Sequence, residues 1–344
     1  MKATYHKHIL NFKTPSGTSR GVLKTKETWF VIIEKDGKQG IGECGILRGL
    51  SADDTPDYEA QLHYTCQNIN LGLEVLYAKN HEYPSIQIGL EMAFNSLKSQ
   101  DPFILYPSQF TNGKASIDIN GLIWMGDQAF MTAQIKDKIA SGFSCIKLKI
   151  GAIDFKTELD ILKGIRQNFS ESDIELRVDA NGAFNPNEAL EKLKQLSEYN
   201  LHSIEQPIKA GQFEAMSNLC QQTPLPIALD EELIGVFDDS KKETLLQAIN
   251  PQYIILKPSF IGGFKGSDTW IDLAEQQNIG WWITSALESN VGLNAIAQYT
   301  FTKHSKLPQG LGTGSLFTNN INSPLQVKNG TLQYNINTNW DFKF

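Results

Sequence analysis

The sequence has little cysteine and little histidine, and neither is clustered. Four cysteines (Cys44, Cys66, Cys145, Cys220) and six histidines (His6, His8, His63, His81, His202, His304) are scattered over 344 residues. None forms a CxxC pair or a Cys/His group of metal spacing, so the histidines read as structural or surface residues. The thiols read as reduced core side chains. Long apolar runs are missing too. Nothing approaches the roughly 20 residues of a membrane span, and the opening MKATYHKHIL has no apolar stretch of signal-peptide length. Positive charge is in deficit: the net charge is −7 and the pI about 5.5. An acidic chain offers no general electrostatic footprint for nucleic acid or anionic lipid. Neither is expected as a partner, and a soluble cytoplasmic protein is. Hydrophobic residues at 41% and charged residues at 20% are ordinary for a globular chain long enough to build a core without disulfides or a structural metal.

The chain divides by rhythm. Up to residue 112, strands precede helices, as in a separate α+β domain. TWFVIIEKDGKQGIGEC reads as two strands joined at Asp36-Gly37. Helices are expected near Tyr58–Leu71 and Ile86–Gln100, the second with Ile88, Met92, Ala93 and Leu97 at helical spacing. DPFILYPSQFTNGKAS reads as the linker out of this domain. From 113 to 322, eight short strand-like runs alternate with helical segments: SIDINGLI, CIKLKI, IELRVDAN, HSIEQPI, PIALDEE, YIILKPS, GWWITSALES and QGLGTGS. The helices between them include Phe130–Ser141, Phe155–Gln167, Pro186–Glu198 and Asp268–Gln277. Asn185 stands as a cap before Pro186. This pattern predicts a parallel (β/α) barrel. A doubly wound open sheet should carry a Gly-rich phosphate turn after an early strand, and none is present. Residues 323–344, with an Asn329-Gly330 turn, read as a hairpin tail that packs back on the N-terminal domain.

In such barrels the chemistry sits at the C-terminal ends of the strands. There the runs present Lys147 and Lys149, then Asp179 followed by Asn181, Glu205, Asp230 followed by Glu231, Lys257, and Ser285. From Lys149 to Lys257 the steps are 25 to 30 residues, one βα unit each, so the charges stand at one height. A single acid at a strand end is more often a turn former or cap. Three on successive strands would repel one another without a counter-charge. Asp, Glu and Asp are hard oxygen donors suited to Mg²⁺ or Mn²⁺. Lys147 and Lys149 share one face of their strand. Adjacent like charge, partial burial and a nearby dication all favour the neutral amine, which predicts a lowered pKa and a general base near neutral pH. A small carboxylate whose α-proton is removed is then the natural substrate. Arg177 reads either as support behind Asp179 or as an interior ion pair, Glu231 as support beside Asp230, and Trp281-Trp282 as packing.

The ordered set KLK, RVDAN, IEQP, ALDE and ILKPS resembles the active-site signatures of the enolase superfamily, muconate-lactonising subgroup, over nearly the whole chain. The resemblance implies a modified (β/α)7β TIM-like barrel with an N-terminal α+β capping domain completed by the C-terminal tail. It implies Asp179, Glu205 and Asp230 as Mg²⁺ ligands and Lys149 as the base. Lys147 would be its companion near the substrate carboxylate, with Lys257 on the sixth strand. The mandelate-racemase branch would place an Asp and a His where Lys257 and Ser285 stand. The stretch GIGECGILRGLSADD and the segment LGTGSLFTNN resemble the capping loop and eighth strand of the subgroup's dehydrating branch. That branch removes water from 2-succinyl-6-hydroxy-2,4-cyclohexadiene-1-carboxylate through a metal-stabilised enediolate, a lyase step of menaquinone synthesis. Gly312-Thr313-Gly314 stands where dipeptide epimerases carry an acidic pair, and its amides suit a carboxylate. Asn181, Ser285, Gly312, Thr313 and Gly314 are candidate substrate contacts, as are Arg20, Gly49 and Leu50 in the capping loops. An N-acyl amino acid racemase and a muconate-type cycloisomerase would use the same lysines, and a catalytically silent binding protein would use none. Oligomeric state is left open.

Overall fold

A computed structural model describes residues 1–18 and 21–343. The N-terminal sheet is antiparallel, ordered β1 (Lys2–Thr18), β2 (Gly21–Lys35), β3 (Lys38–Gly45). Asp36 and Gly37, with φ of 51° and 77°, make the tight turn the sequence predicts. β1 was not legible: its burial alternates only in part, with Leu10 and Phe12 buried and most other positions half-buried or exposed, and its charged positions mask the period. Three helices follow, α1 (Tyr58–Gln67), α2 (Leu73–Lys79) and α3 (Pro84–Lys98). The stretch expected as one helix to Leu71 ends at Gln67, then makes a short 3₁₀ turn over Ile69–Leu71. α3 lies hard against β3. A Cβ on Gly42 would come within 1.9 Å of the Gly89 carbonyl oxygen, so only glycine permits that approach.

The second sheet is parallel, with seven strands in sequential order. They are β5 (Gly121–Ile123), β6 (Cys145–Lys149), β7 (Glu175–Asp179), β8 (Ser203–Glu205), β9 (Ile227–Leu229), β10 (Tyr253–Leu256) and β11 (Gly280–Ile283). Each is followed by one helix, α4 (Gln128–Ala140), α5 (Phe155–Asn168), α6 (Pro186–Ser197), α7 (Phe213–Gln222), α8 (Asp239–Ile249), α9 (Gly263–Gln276) and α10 (Asn290–Thr302). The eighth strand is reduced to Gln309 and Gly310, which form parallel bridges to Ile119 and Thr284 and so close the ring. Asp127, Asp154 and Asn185 cap α4, α5 and α6 through their side chains. α9 starts five residues before the expected Asp268, because Glu91 of α3 supplies acceptors for its first amides: Phe264 N at 2.6 Å and Lys265 N at 3.0 Å.

The tail forms the hairpin β12 (Leu325–Lys328) and β13 (Thr331–Tyr334). It pairs with β4 (Ile117–Asp118) at the entry to the barrel, not with the N-terminal sheet. From the hairpin Tyr334 meets Phe110 at 5.9 Å, and beyond it Phe342 meets Phe30 of β2 while Trp340 stacks on Phe103, after α3, at 4.2 Å. Among the described residues no helix is long and apolar enough to cross a membrane.

Candidate active site

Strand register lifts the charged residues to one level. Lys149 pairs with Asp179, and Asp179 with Glu205, across β6, β7 and β8. Asp230 and Lys257 follow directly after β9 and β10. The three carboxylates are 1–2% exposed and each meets an ammonium. Lys147 Nζ lies 2.6 Å from Glu205 Oε2 and 3.2 Å from Asp179 Oδ2. Lys149 Nζ donates to Asp179 Oδ2 at 2.8 Å and to Asn181 Oδ1 at 2.7 Å. Lys257 pairs closely with Asp230 and lies 3.9 Å from Glu205 Oε1.

These neighbours set the protonation states, and one expectation reverses. Burial pulls the Lys147 ammonium down, but Glu205 and Asp179 outweigh it and its pKa lies above the ordinary lysine value. The nearby carboxylates, not the second lysine, dominate its surroundings. Lys257 is likewise raised, because Asp230 and Glu205 overcome its burial. Asp179 is pushed up by burial but pulled further down by Lys149 and Lys147, well below the usual carboxylate range. Glu205 is pushed up to about 8 by burial and by the charge of Asp179.

A cavity of about 440 Å³ opens over this row. Lys147, Lys149, Asp179, Asn181, Lys257, Ser285, Gly312 and Thr313 reach its wall, as does Leu50 from the N-terminal part. Ser285 and Thr313 share a hydrogen bond of 2.6 Å between their hydroxyls. Asn181 donates to Glu231 Oε1 at 3.0 Å, which ties the turn after β7 to the turn carrying Asp230. Other candidates stand apart from the wall. Gly49, with φ of 73°, gives its amide to Asp54 Oδ2 at 2.7 Å. Gly314 is packed so that a Cβ would lie 2.6 Å from Asn290 Oδ1. Arg20 lies outside the described residues. Arg177 pairs with Glu175: its guanidinium is 2.7 Å from Glu175 Oε1 and stacks 4.3 Å from the Trp282 ring centre.

Two groups escaped sequence reasoning. The cavity's apolar wall comes from Leu47, Trp124, Phe260 and Leu316, which carry no polar signature. Gln206, in the quoted IEQP, accepts from Asp230 N at 3.1 Å and donates to Glu232 Oε2 at 2.9 Å, so it fixes the turn that presents Asp230. Its φ of 40° is a conformation non-glycine residues seldom adopt.

Among the described residues no three His, Cys, Asp or Glu side chains are arranged around a point that could hold a metal ion; the carboxylates share three ammonium groups among them. The donors themselves are all hard oxygens, deeply buried, and among the described residues Glu205 Oε1 has no hydrogen-bond partner. Three buried carboxylates with an orphaned oxygen fit a hard dication.

Residues 131–335 match the sequence model of the family described as Enolase C-terminal domain-like. The chain belongs to this family, within the enolase superfamily that the strand-end motifs resemble. It is similar to the o-succinylbenzoate synthase of Desulfotalea psychrophila, with 46% identity covering 96% of this chain and 98% of that protein. Its fold matches the crystal structure of MenC from the same organism with a TM-score of 0.86 and 42% identity, covering 97% and 99% of the two chains. The dipeptide epimerase of Enterococcus faecalis, complexed with Mg and the dipeptide L-Leu-L-Tyr, shares the fold with a TM-score of 0.84 at 18% identity, covering 97% and 96%.

Proposed function

We propose that the protein is an o-succinylbenzoate synthase, removing water from 2-succinyl-6-hydroxy-2,4-cyclohexadiene-1-carboxylate in menaquinone biosynthesis. The observation that carries this reading is the likeness to the Desulfotalea synthase along 96% of the chain. The cavity supports it. Its apolar wall suits a cyclohexadiene ring, and the turn Gly312-Thr313-Gly314 lacks the acids that would hold a substrate amine.

Asp179, Glu205 and Asp230 would hold a divalent cation, Mg²⁺ or Mn²⁺, which supplies positive charge beside the ring carboxylate and so makes its α-proton more acidic. Lys149 takes that proton, its Nζ fixed on the cavity wall by Asp179 and Asn181. The electron pair of the broken C–H bond moves into the ring, the neighbouring C–O bond breaks, and protonated Lys149 returns its proton to the departing hydroxyl. Both events use one face of the ring, so the elimination is syn and leaves an aromatic product and water. Lys147 lies beside the carboxylate end. β6 and β10 stand four places apart in a ring of eight strands, so Lys257 faces Lys149 across the cavity. The Lys257 ammonium, paired with Asp230, would steady the anion from the other face.

The test is an ultraviolet progress curve with the cyclohexadiene substrate, run with Mg²⁺ and then with EDTA. Fast loss of the diene absorbance that EDTA abolishes is expected. No change with Mg²⁺ present would refute the reading. The two facing lysines favour one second reading, racemisation of N-acylated amino acids with a base on each face. Solvent deuterium exchange at the α-carbon of N-succinyl amino acids checks it.

A further inference from the structure

The substrate of the dehydration is a dianion, with one carboxylate on the ring and one at the end of the succinyl tail. The row of strand ends serves the ring carboxylate, so the tail carboxylate is left to be held elsewhere. Burying a carboxylate without a partner is costly. The rest of the cavity should therefore offer it a cation. Among the described residues the wall carries two cations besides the three lysines of the row, Lys13 and Lys138.

Their places in the fold separate them. Lys138, on α4, holds its Nζ 5.3 Å from the Phe143 ring centre. Phe143 leads into β6 from its N-terminal side, and Lys149 ends that strand. At about 3.3 Å per residue the strand alone spans roughly 13 Å, more than a four-carbon tail reaches. Lys13 stands at the other end. Its amide donates to the Leu316 carbonyl at 2.8 Å, and Leu316 lines the cavity beyond the closing strand. The neighbouring Phe12 bridges to Phe317, and their rings pack with centres 4.7 Å apart. β1 is thus pinned at Lys13 to the loop over the barrel mouth. Lys13 is exposed, and no acid of the wall competes for it there: among the described residues those acids are Asp137 on α4 and Asp179 in the row.

We infer that Lys13 completes a second carboxylate subsite, in which its ammonium holds the free carboxylate of the succinyl tail while the row holds that of the ring. The inference rests on the dehydration described above and names a residue that selects its substrate. Leu47, Leu50 and Leu316 are apolar on the same wall. A monocarboxylate of the same shape would gain that packing but not the charged hydrogen bond.

The test is calorimetric binding, with Mg²⁺ present, of o-succinylbenzoate and of 2-butyrylbenzoate, in which a methyl group replaces the tail carboxylate. The wild type should bind o-succinylbenzoate about fivefold to tenfold more tightly, the scale of one charged hydrogen bond at a partly wet site. Lys13→Met keeps the stem and the backbone bond to Leu316. It should bind the two compounds alike, with 2-butyrylbenzoate at its wild-type affinity, and Lys13→Arg should restore the preference. In turnover Lys13→Met should raise KM by the same factor and change kcat much less. A wild type without the preference, or a Lys13→Met variant that keeps it, would overturn the subsite. So would equal weakening of both compounds. A wild type that binds neither compound refutes the dehydration itself, and the subsite falls with it.

Discussion

Glu91→Gln should make the protein more stable at neutral pH. Glu91 of α3 is 8% exposed and faces the first amides of α9, accepting from Phe264 N and Lys265 N. Burial pushes its carboxyl up to about 8, against the pull of those two amides. The folded state therefore binds this proton more tightly than the unfolded chain, where the group titrates near its ordinary value of 4.5. Its contribution is fully present below pH 4.5 and is lost as pH rises from there through about 8. At 1.36 kcal/mol per pKa unit, the loss amounts to about 3 kcal/mol by pH 7 and about 5 kcal/mol by pH 9. Glutamine has the same shape, keeps one acceptor for the helix and does not titrate. Urea unfolding from pH 4.5 to 9 should show the two proteins nearly equal at the acid end and diverging in favour of the variant as pH rises. Because other raised groups, such as Asp53 and Glu158, are common to both, the difference isolates Glu91. Parallel curves across the whole range would refute the reasoning. So would a variant that is less stable at pH 8.

Lys149→Ala should cut dehydration by about 10²–10⁴-fold while calorimetry shows divalent cation still binding; near-normal turnover would remove Lys149 as the base. Glu205→Gln removes one of three charged donors, and titration with Mn²⁺ should show clearly weaker binding, whereas unchanged affinity would take Glu205 out of the ligand set. Gly151→Ala forces a side chain at a φ of 92°, with its Cβ 2.6 Å from that of Ala183. It should destabilise the fold by about 1–3 kcal/mol and lower kcat through the turn that follows Lys149, as urea melts and turnover would show.

The row of charged strand ends was legible because one βα unit separates each from the next, and equal steps around a ring place equal ends together. The cap Asn185 before Pro186 follows the same local logic, whereas the caps Asp127 and Asp154 emerged only with the structure. Long-range partnerships were not legible. Glu43 bonds to an amide 246 residues away, and no pattern in GIGEC announces an acceptor for the start of a distant helix. The eighth strand escaped β-propensity because two bridging residues suffice. Gly310 is required there by crowding, since a Cβ would fall 2.2 Å from Thr284 Oγ1. At Lys147 the weight fell on its companion Lys149 and on a dication, whereas Glu205 and Asp179, also visible in sequence, stand at 2.6 and 3.2 Å and outweigh its burial. Leu47, Trp124 and Phe260 give the cavity its apolar wall, and apolar residues look alike wherever they pack.

Glu43 and Glu91 tie the N-terminal part to the barrel. They fasten the N-terminal sheet and α3 to the first turns of two adjacent barrel helices, α10 and α9, and Tyr77 adds a third tie through its hydroxyl to the Gly262 carbonyl at 2.5 Å. Structures latched at two neighbouring points do not swing like a door. Admission then falls to the short segments that overhang the mouth, the stretch around Leu47 and Leu50 and the strand β1 near Lys13. Such segments move within nanoseconds to microseconds.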